Sequence, residues 1–222
     1  MSSEPRDPSA LAAVNPPSAD ETAMTKGERT ARRILDVAEQ LFAEEGFAGT
    51  RLREIAKRVG IHEPGIYNHF ASKEVLYRSV LERGLQPLAD AIDELLEREA
   101  SPRELEELPA HLTDLLARHP NVVALMHRNL LSSDATPGRE VMDDWLERLF
   151  LKGAALFEHR GSGDTDQQER ALLMIAMFNL TTSYFLTERI YARIAGDQIL
   201  SEENLARQKS LVTRVYRGLL GP

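Results

Sequence analysis

Apolar residues recur at helical spacing along almost the whole chain, and no run of alternating β-branched residues reads as a strand. The pattern predicts an all-α protein. Ile34, Leu35, Ala38, Leu41 and Phe42 share one stripe of a helix from about Lys26 to Gly46, with Arg29, Arg32 and Arg33 mostly off it and Gly46 as its stop. Leu52, Ile55, Ala56 and Val59 give the inward face of a second helix. It opens after Thr50, whose hydroxyl is placed to accept a first-turn N–H, a cap worth about 1 kcal/mol. Gly60 permits the left-handed backbone of a sharp turn, Ile61 re-enters the core, and a short third helix runs to about Asn68. Ser72 is placed to cap a fourth helix that runs from Lys73 through Arg83 and past residue 90, with Pro87 as a candidate kink and Gly84 as a second place to bend.

Further helices are expected at about 103–118, 120–131, 138–160, 166–195 and 201–219, with Asp166 and Glu169 in the spacing of a capping box. Ser, Asp, Gly and Pro mark Ser132 to Arg139 and Gly161 to Thr165 as loops. Residues 1–25 mix Pro5, Pro8, Pro16 and Pro17 with Ser, Ala and acids, the composition of a disordered tail rather than a leader. The expected organisation is a tail over 1–25, a small helical unit over 26–78 and a larger helical domain over 79–222.

Composition narrows the function. The 222 residues contain no cysteine, which removes thiol catalysis, thiolate metal sites and disulfides together. The longest apolar run, Ala171 to Phe178, falls well short of the roughly 20 residues that cross a bilayer, so a soluble, cytoplasmic protein without membrane contact is expected. A net charge of −8 argues against nucleic acid until its distribution is considered. Residues 26–78 hold ten Lys and Arg against eight Asp and Glu, the only block with a positive excess. His62-Glu63 invites comparison with the zinc motif H-E-x-x-H, but Ile66 stands where the second His must be. Neither a phosphate-binding Gly-rich loop nor a G-x-S-x-G elbow is present, so an enzyme is disfavoured. His111, His119 and His127 recur every eight residues, yet Pro120 interrupts the helix and no carboxylate partner is evident. Solvated or core histidines are the plain reading and a metal site the sharper one. No cofactor is expected.

Residues 52–70, LREIAKRVGIHEPGIYNHF, have the layout of a helix-turn-helix. Ala56 is small where two helices cross, Gly60 makes the turn, and Ile55, Val59, Ile61 and Ile66 form the small core between them. With LFAEEGF before it and GIYNHFASKEVL at its end, the stretch from 28 to 76 resembles the signature of the tetracycline-repressor (TetR) family. The resemblance implies a three-helix DNA-binding domain followed by a helical ligand-binding and dimerisation domain. It also implies a transcriptional regulator, in most readings a repressor, that binds a pseudo-palindromic double-stranded operator as a homodimer and is released by a small molecule not identified by the sequence. An activator or a ligand-independent DNA-binding adaptor on the same fold is the alternative.

In that family the third helix enters the major groove, which points here to His62, Glu63, Pro64, Gly65 and Asn68. Glu63 fits either an acceptor for cytosine N4 or an exposed residue that touches nothing. Arg53 has the forked donors for guanine O6 and N7, against a phosphate contact or a solvated face as the alternative. Arg51 is expected at a phosphate, and Thr50 belongs to the same set. Tyr67, His69 and Lys73 match family positions that hold the sugar-phosphate backbone, although Tyr67 and His69 equally suit packing between helices, and Phe70 reads as core. The resemblance places the dimer interface on helices 166–195 and 201–219, where Leu172, Leu173, Ile175, Met177, Phe178, Leu180 and Tyr184 cover more than one face. A buried core helix in a monomer would show the same pattern. Met126, His127, Met142, Trp145, Phe150, Phe157, Met174, Phe178 and Phe185 are the large, adaptable side chains from which an apolar ligand pocket could be built, or simply a core.

Overall fold

A computed structural model of the protein describes residues 24–98, 100–131, 136–158 and 166–219, with the side chains of 156–158 and 219 left aside. Residues 1–23 of the tail expected over 1–25, residues 132–135 of the loop expected over 132–139, the loop at 161–165 and the Phe157 side chain fall outside the described residues. Within them the secondary structure is entirely helical, as the apolar spacing requires.

Helix α1 (Lys26–Gly49) opens on a capping box, with Thr25 accepting from the Glu28 amide and Glu28 reaching back to the Thr25 amide. Its buried stripe includes Ile34, Ala38, Leu41 and Phe42. Gly46, at φ 75° and ψ 173°, breaks the helical path, so the last residues form a separate turn beyond the expected stop. Helix α2 (Leu52–Val59) buries Leu52, Ile55, Ala56 and Val59, and Gly60 then turns the chain at φ 79°, ψ 34°. The short α3 (Pro64–Tyr67) sends Ile66 inward beneath it.

The cap expected from the Thr50 side chain is not formed. Thr50 does not cap α2, because its hydroxyl donates backwards to the carbonyls of Leu41 and Gly46, and its amide donates to Gly46 as well. Thr50 thus closes the turn that Gly46 makes at the end of α1. Arg51 stands at the cap position of α2 without a side-chain bond.

Helix α4 (Lys73–Glu97) is the axis of the molecule. Ser72 caps it by accepting from the Val75 amide, and it continues as helix through Pro87. At about 1.5 Å per residue its 25 residues make a rod of roughly 37 Å. Its near end packs on α1, where Tyr77 meets Phe42 edge to face with ring centroids 4.8 Å apart. Its far end packs on α5 (Pro102–Arg118), α6 (Pro120–Leu131) and α7 (Pro137–Glu158), so a single apolar core runs from Ile34 to Phe185.

The stretch expected as one helix over 166–195 is three pieces: α8 (Gln167–Thr182), a 3₁₀ turn (Ser183–Leu186) and α9 (Glu188–Ala195). Thr181 and Thr182 donate their hydroxyls to the carbonyls of Met177 and Phe178, four residues back, and this local competition with the helical ladder accompanies the break. Asp166 caps α8 by accepting from the Glu169 amide, one half of the expected capping box. Gly196 closes α9 at φ 69°, and α10 (Glu202–Leu219) returns along α5. No described helix is long and apolar enough to cross a membrane.

Candidate nucleic-acid interface and the cavity behind it

The geometry of the N-terminal unit follows from which side of α2 and α3 is used for packing. Leu52, Ile55, Ala56, Val59 and Ile66 are consumed inward, which leaves Arg51, Arg53, His62, Pro64, Tyr67 and Asn68 exposed, with Glu63 and Gly65 half-buried between them. Tyr67 is 52% exposed, too open to be an interhelical packing residue. His69 is half-buried and Phe70 is core. Thr50, by contrast, is 1% exposed with its amide and hydroxyl both engaged, so it positions the turn before α2 and offers DNA no group.

The framework that holds this face is polar at its ends. Arg33 of α1 donates to the Val59 carbonyl at 2.8 Å and so closes the end of α2. Arg58 is drawn aside by Glu54, at 3.3 Å on its own helix. Lys73, at the head of α4, sits with Nζ 4.5 Å from the centroid of the Phe47 ring. Desolvation lowers the Lys73 pKa, and the neighbouring Glu74 charge opposes that shift.

The polar links between this unit and the remainder include one centred on Glu39 and one made by Arg128. Arg83 of α4 donates to Glu39 and Asp36 of α1, both at 2.6 Å, and Glu39 also accepts from His119 at the junction of α5 and α6, at 3.0 Å. His119 therefore has the carboxylate partner that its sequence neighbourhood does not reveal. Arg128 of α6 donates to the Ala43 carbonyl near the end of α1 at 3.0 Å. Sequence reasoning missed Glu39, Arg83 and Arg128, because their partners lie 44 to 85 residues away. Among the described residues no group of three or more His, Cys, Asp or Glu could hold a metal.

On the far side of α4 lies an apolar cavity of about 80 Å³ between α4, α5, α6, α7, α8 and α10. Of the residues singled out from the sequence, Met126, Trp145, Phe150, Met174 and Phe178 line it. Met142 and Phe185 do not, being spent in the core. His127 also stays off the wall. It stacks behind Phe178 at 5.9 Å between centroids, and its Nε2 lies 3.0 Å from the Thr182 hydroxyl. That hydroxyl gives its proton to Phe178, so Nε2–H of His127 is the donor. Burial lowers the His127 pKa, which favours the neutral ring.

Comparison with known proteins bears on the N-terminal part. The family model described as bacterial regulatory proteins, tetR family, matches residues 34–80. The HTH-type transcriptional repressor KstR2 of Rhodococcus jostii is 41% identical over 75 residues, 34% of this chain and 36% of that protein. The HTH-type transcriptional repressor NicS of Pseudomonas putida is 35% identical over 102 residues, 46% of this chain and 48% of that protein. The chain thus spans less than half the length of these two relatives. The crystal structure of the transcriptional regulator FadR from Bacillus subtilis, in complex with stearoyl-CoA, shares the fold. It has a TM-score of 0.62 and 19% identity, over 86% of this chain and 97% of that one. Residues 34–80 are thus similar to the tetR family of bacterial regulatory proteins.

Proposed function

We propose that the protein is a sequence-specific DNA-binding transcriptional regulator, a repressor that occupies a pseudo-palindromic operator as a homodimer and leaves it when a small molecule fills the cavity. The observation that carries this reading is the division of α2 and α3 into a fully used apolar side and an exposed side of Arg51, Arg53, His62, Tyr67 and Asn68. Such a face suits the major groove, with Arg53 at a guanine edge and Arg51, Tyr67, His69 and Lys73 at phosphates. In this reading residues 26–78 are the DNA-binding domain and 79–222 the ligand-binding and dimerisation domain, and the protein is a cytoplasmic regulator and not an enzyme.

The partner surface is supported by α8, α9 and α10. Leu172 and Ile175, Ile190 and Ile194, and Leu211 and Val215 are exposed pairs at helical spacing, Ile194 to 81%, and α9 buries none of its residues. Apolar pairs of this kind on successive helices fit a second copy of the chain across a two-fold axis.

Release requires that the cavity and the reading face share moving parts. Helix α4 carries Lys73 at one end and lines the cavity with Leu88 and Ile92, while α6 lines it with Met126 and holds α1 through Arg128. A ligand acts only through unequal affinity for the two states, and reversing 99:1 occupancy takes about 10⁴-fold preference, about 5.5 kcal/mol.

The test is the affinity of the purified protein for a short random-sequence duplex as salt is raised. A steep linear fall of log K with log salt, lessened by Arg51→Ala and Lys73→Ala, is the expected result; salt-independent or absent binding overturns the reading.

A further inference from the structure

We propose that the cavity takes an uncharged, hydrocarbon-like ligand, and that the indole of Trp145 is the group through which its arrival reaches α4. This deepens the ligand-release reading above and rests on it for its regulatory meaning.

The wall defines the chemistry. No lining side chain is charged, and only Trp145, Thr181, Thr182 and Tyr216 carry nitrogen or oxygen. Thr181 donates to Met177, Thr182 donates to Phe178 and accepts from His127, and Trp145 donates from Nε1 to the Leu85 carbonyl at 3.3 Å. Tyr216 is also engaged. Desolvation keeps the nearby His127 on its neutral side, so it adds no cation to the wall. A carboxylate, phosphate or ammonium in this space would lose its hydration and gain no charged partner, whereas a methylene chain loses nothing.

Shape points the same way. The free space is small, about 80 Å³, but three of the six methionines of the chain, Met126, Met174 and Met177, face it. Their unbranched thioethers can shift to admit a chain. Gly153 sets the local width, because a Cβ there would lie 2.1 Å from Cε and 2.9 Å from Sδ of Met174. The methionine therefore occupies space that only a glycine leaves open.

Trp145 is placed to report what enters. It is 6% exposed, it lines the cavity, and its N–H is held by α4, the helix whose head carries Lys73. A chain that pushes the indole aside strains or breaks the bond to Leu85 and changes how α7 holds α4.

Trp145 is the sole tryptophan, so its fluorescence reads the cavity without a label. The protein would be titrated, without DNA, with dodecan-1-ol and with dodecanoate below their aggregation limits, at a pH where the acid is ionised. Because the readout is binding alone, a failure of the DNA reading would show separately. The expected result is a saturable fluorescence change with the alcohol at roughly tenfold or lower concentration than with the carboxylate. Equal or tighter binding of the carboxylate, or no saturable change with the alcohol, overturns the proposal. Gly153→Ala, which drives Met174 toward the cavity, should weaken alcohol binding severalfold while leaving helical content unchanged by circular dichroism; unaltered binding by that folded variant also overturns it.

Discussion

Arg83 and Glu39 meet at 2.6 Å across the contact between α4 and α1, and Glu39, 7% exposed at its side chain, takes a second bond from His119. Three segments that lie far apart in sequence are thus tied by one carboxylate. A buried charge keeps its place only while its partners do. Arg83→Met should cost about 2–4 kcal/mol, toward the lower end because Arg83 itself keeps some exposure to water. The Glu39→Met, Arg83→Met double variant should recover part of the loss. Urea midpoints at unchanged m-value provide the comparison.

Gly84 lies where α4 crosses α6, and a Cβ at this position would fall 2.5 Å from Cγ2 and 2.8 Å from Cγ1 of the fully buried Val122. Alanine favours a helix over glycine by about 1 kcal/mol, but it would have to displace a branched side chain with nowhere to go. Gly84→Ala should therefore destabilise the protein by about 1–3 kcal/mol. Adding Val122→Ala should relieve the clash, and a thermal melt in which the single variant equals the wild type would show that α4 and α6 are not in this contact.

Lys73 and Arg53 are predicted to differ in what their loss does to DNA binding. Lys73→Ala should weaken binding to all sequences alike and lower the salt slope by about one. Arg53→Ala should instead relax the preference at one base pair in each half-site, costing about 1–3 kcal/mol there. Retained preference at every position would remove Arg53 from the base-reading set.

His127 supplies the pH dependence. Burial lowers its pKa below the ordinary value of 6.5, so the folded protein binds fewer protons than the unfolded chain between the two values. Its contribution to stability is whole above the unfolded pKa, falls as pH drops through 6.5, and levels off below the folded pKa. Denaturation of the wild type against His127→Asn, followed from neutral to mildly acidic pH, should show a steeper loss in the wild type.

The sequence is a good guide to α2, Gly60 and Ile66 because everything that decides them lies within a few residues. An apolar face at 3.6-residue period, a glycine at a left-handed turn and an inward isoleucine are all local. Thr50 is harder to read, since whether its hydroxyl serves the helix before it or the one after depends on the path that Gly46 imposes. The break after Thr182 comes with side-chain hydroxyls bonded to backbone carbonyls, a feature that apolar periodicity does not register. The Glu39, Arg83 and His119 contact is out of reach for the same kind of reason. Its members are ordinary charged residues until the fold brings 44- and 80-residue separations down to hydrogen-bond distance. Aromatic and methionine residues are enough to suggest an apolar cavity, but only packing separates Trp145 on the wall from Met142 in the core.

Two copies of the α2 and α3 face are expected to read one duplex, and selection of bound duplexes from a random pool by the purified protein is the measurement that checks this. The expected result is an enriched inverted repeat, with half-site centres about 34–36 Å apart or at a related spacing, bound by an even number of chains. Enrichment of an asymmetric motif held by a single chain, or of no motif at all, would contradict it.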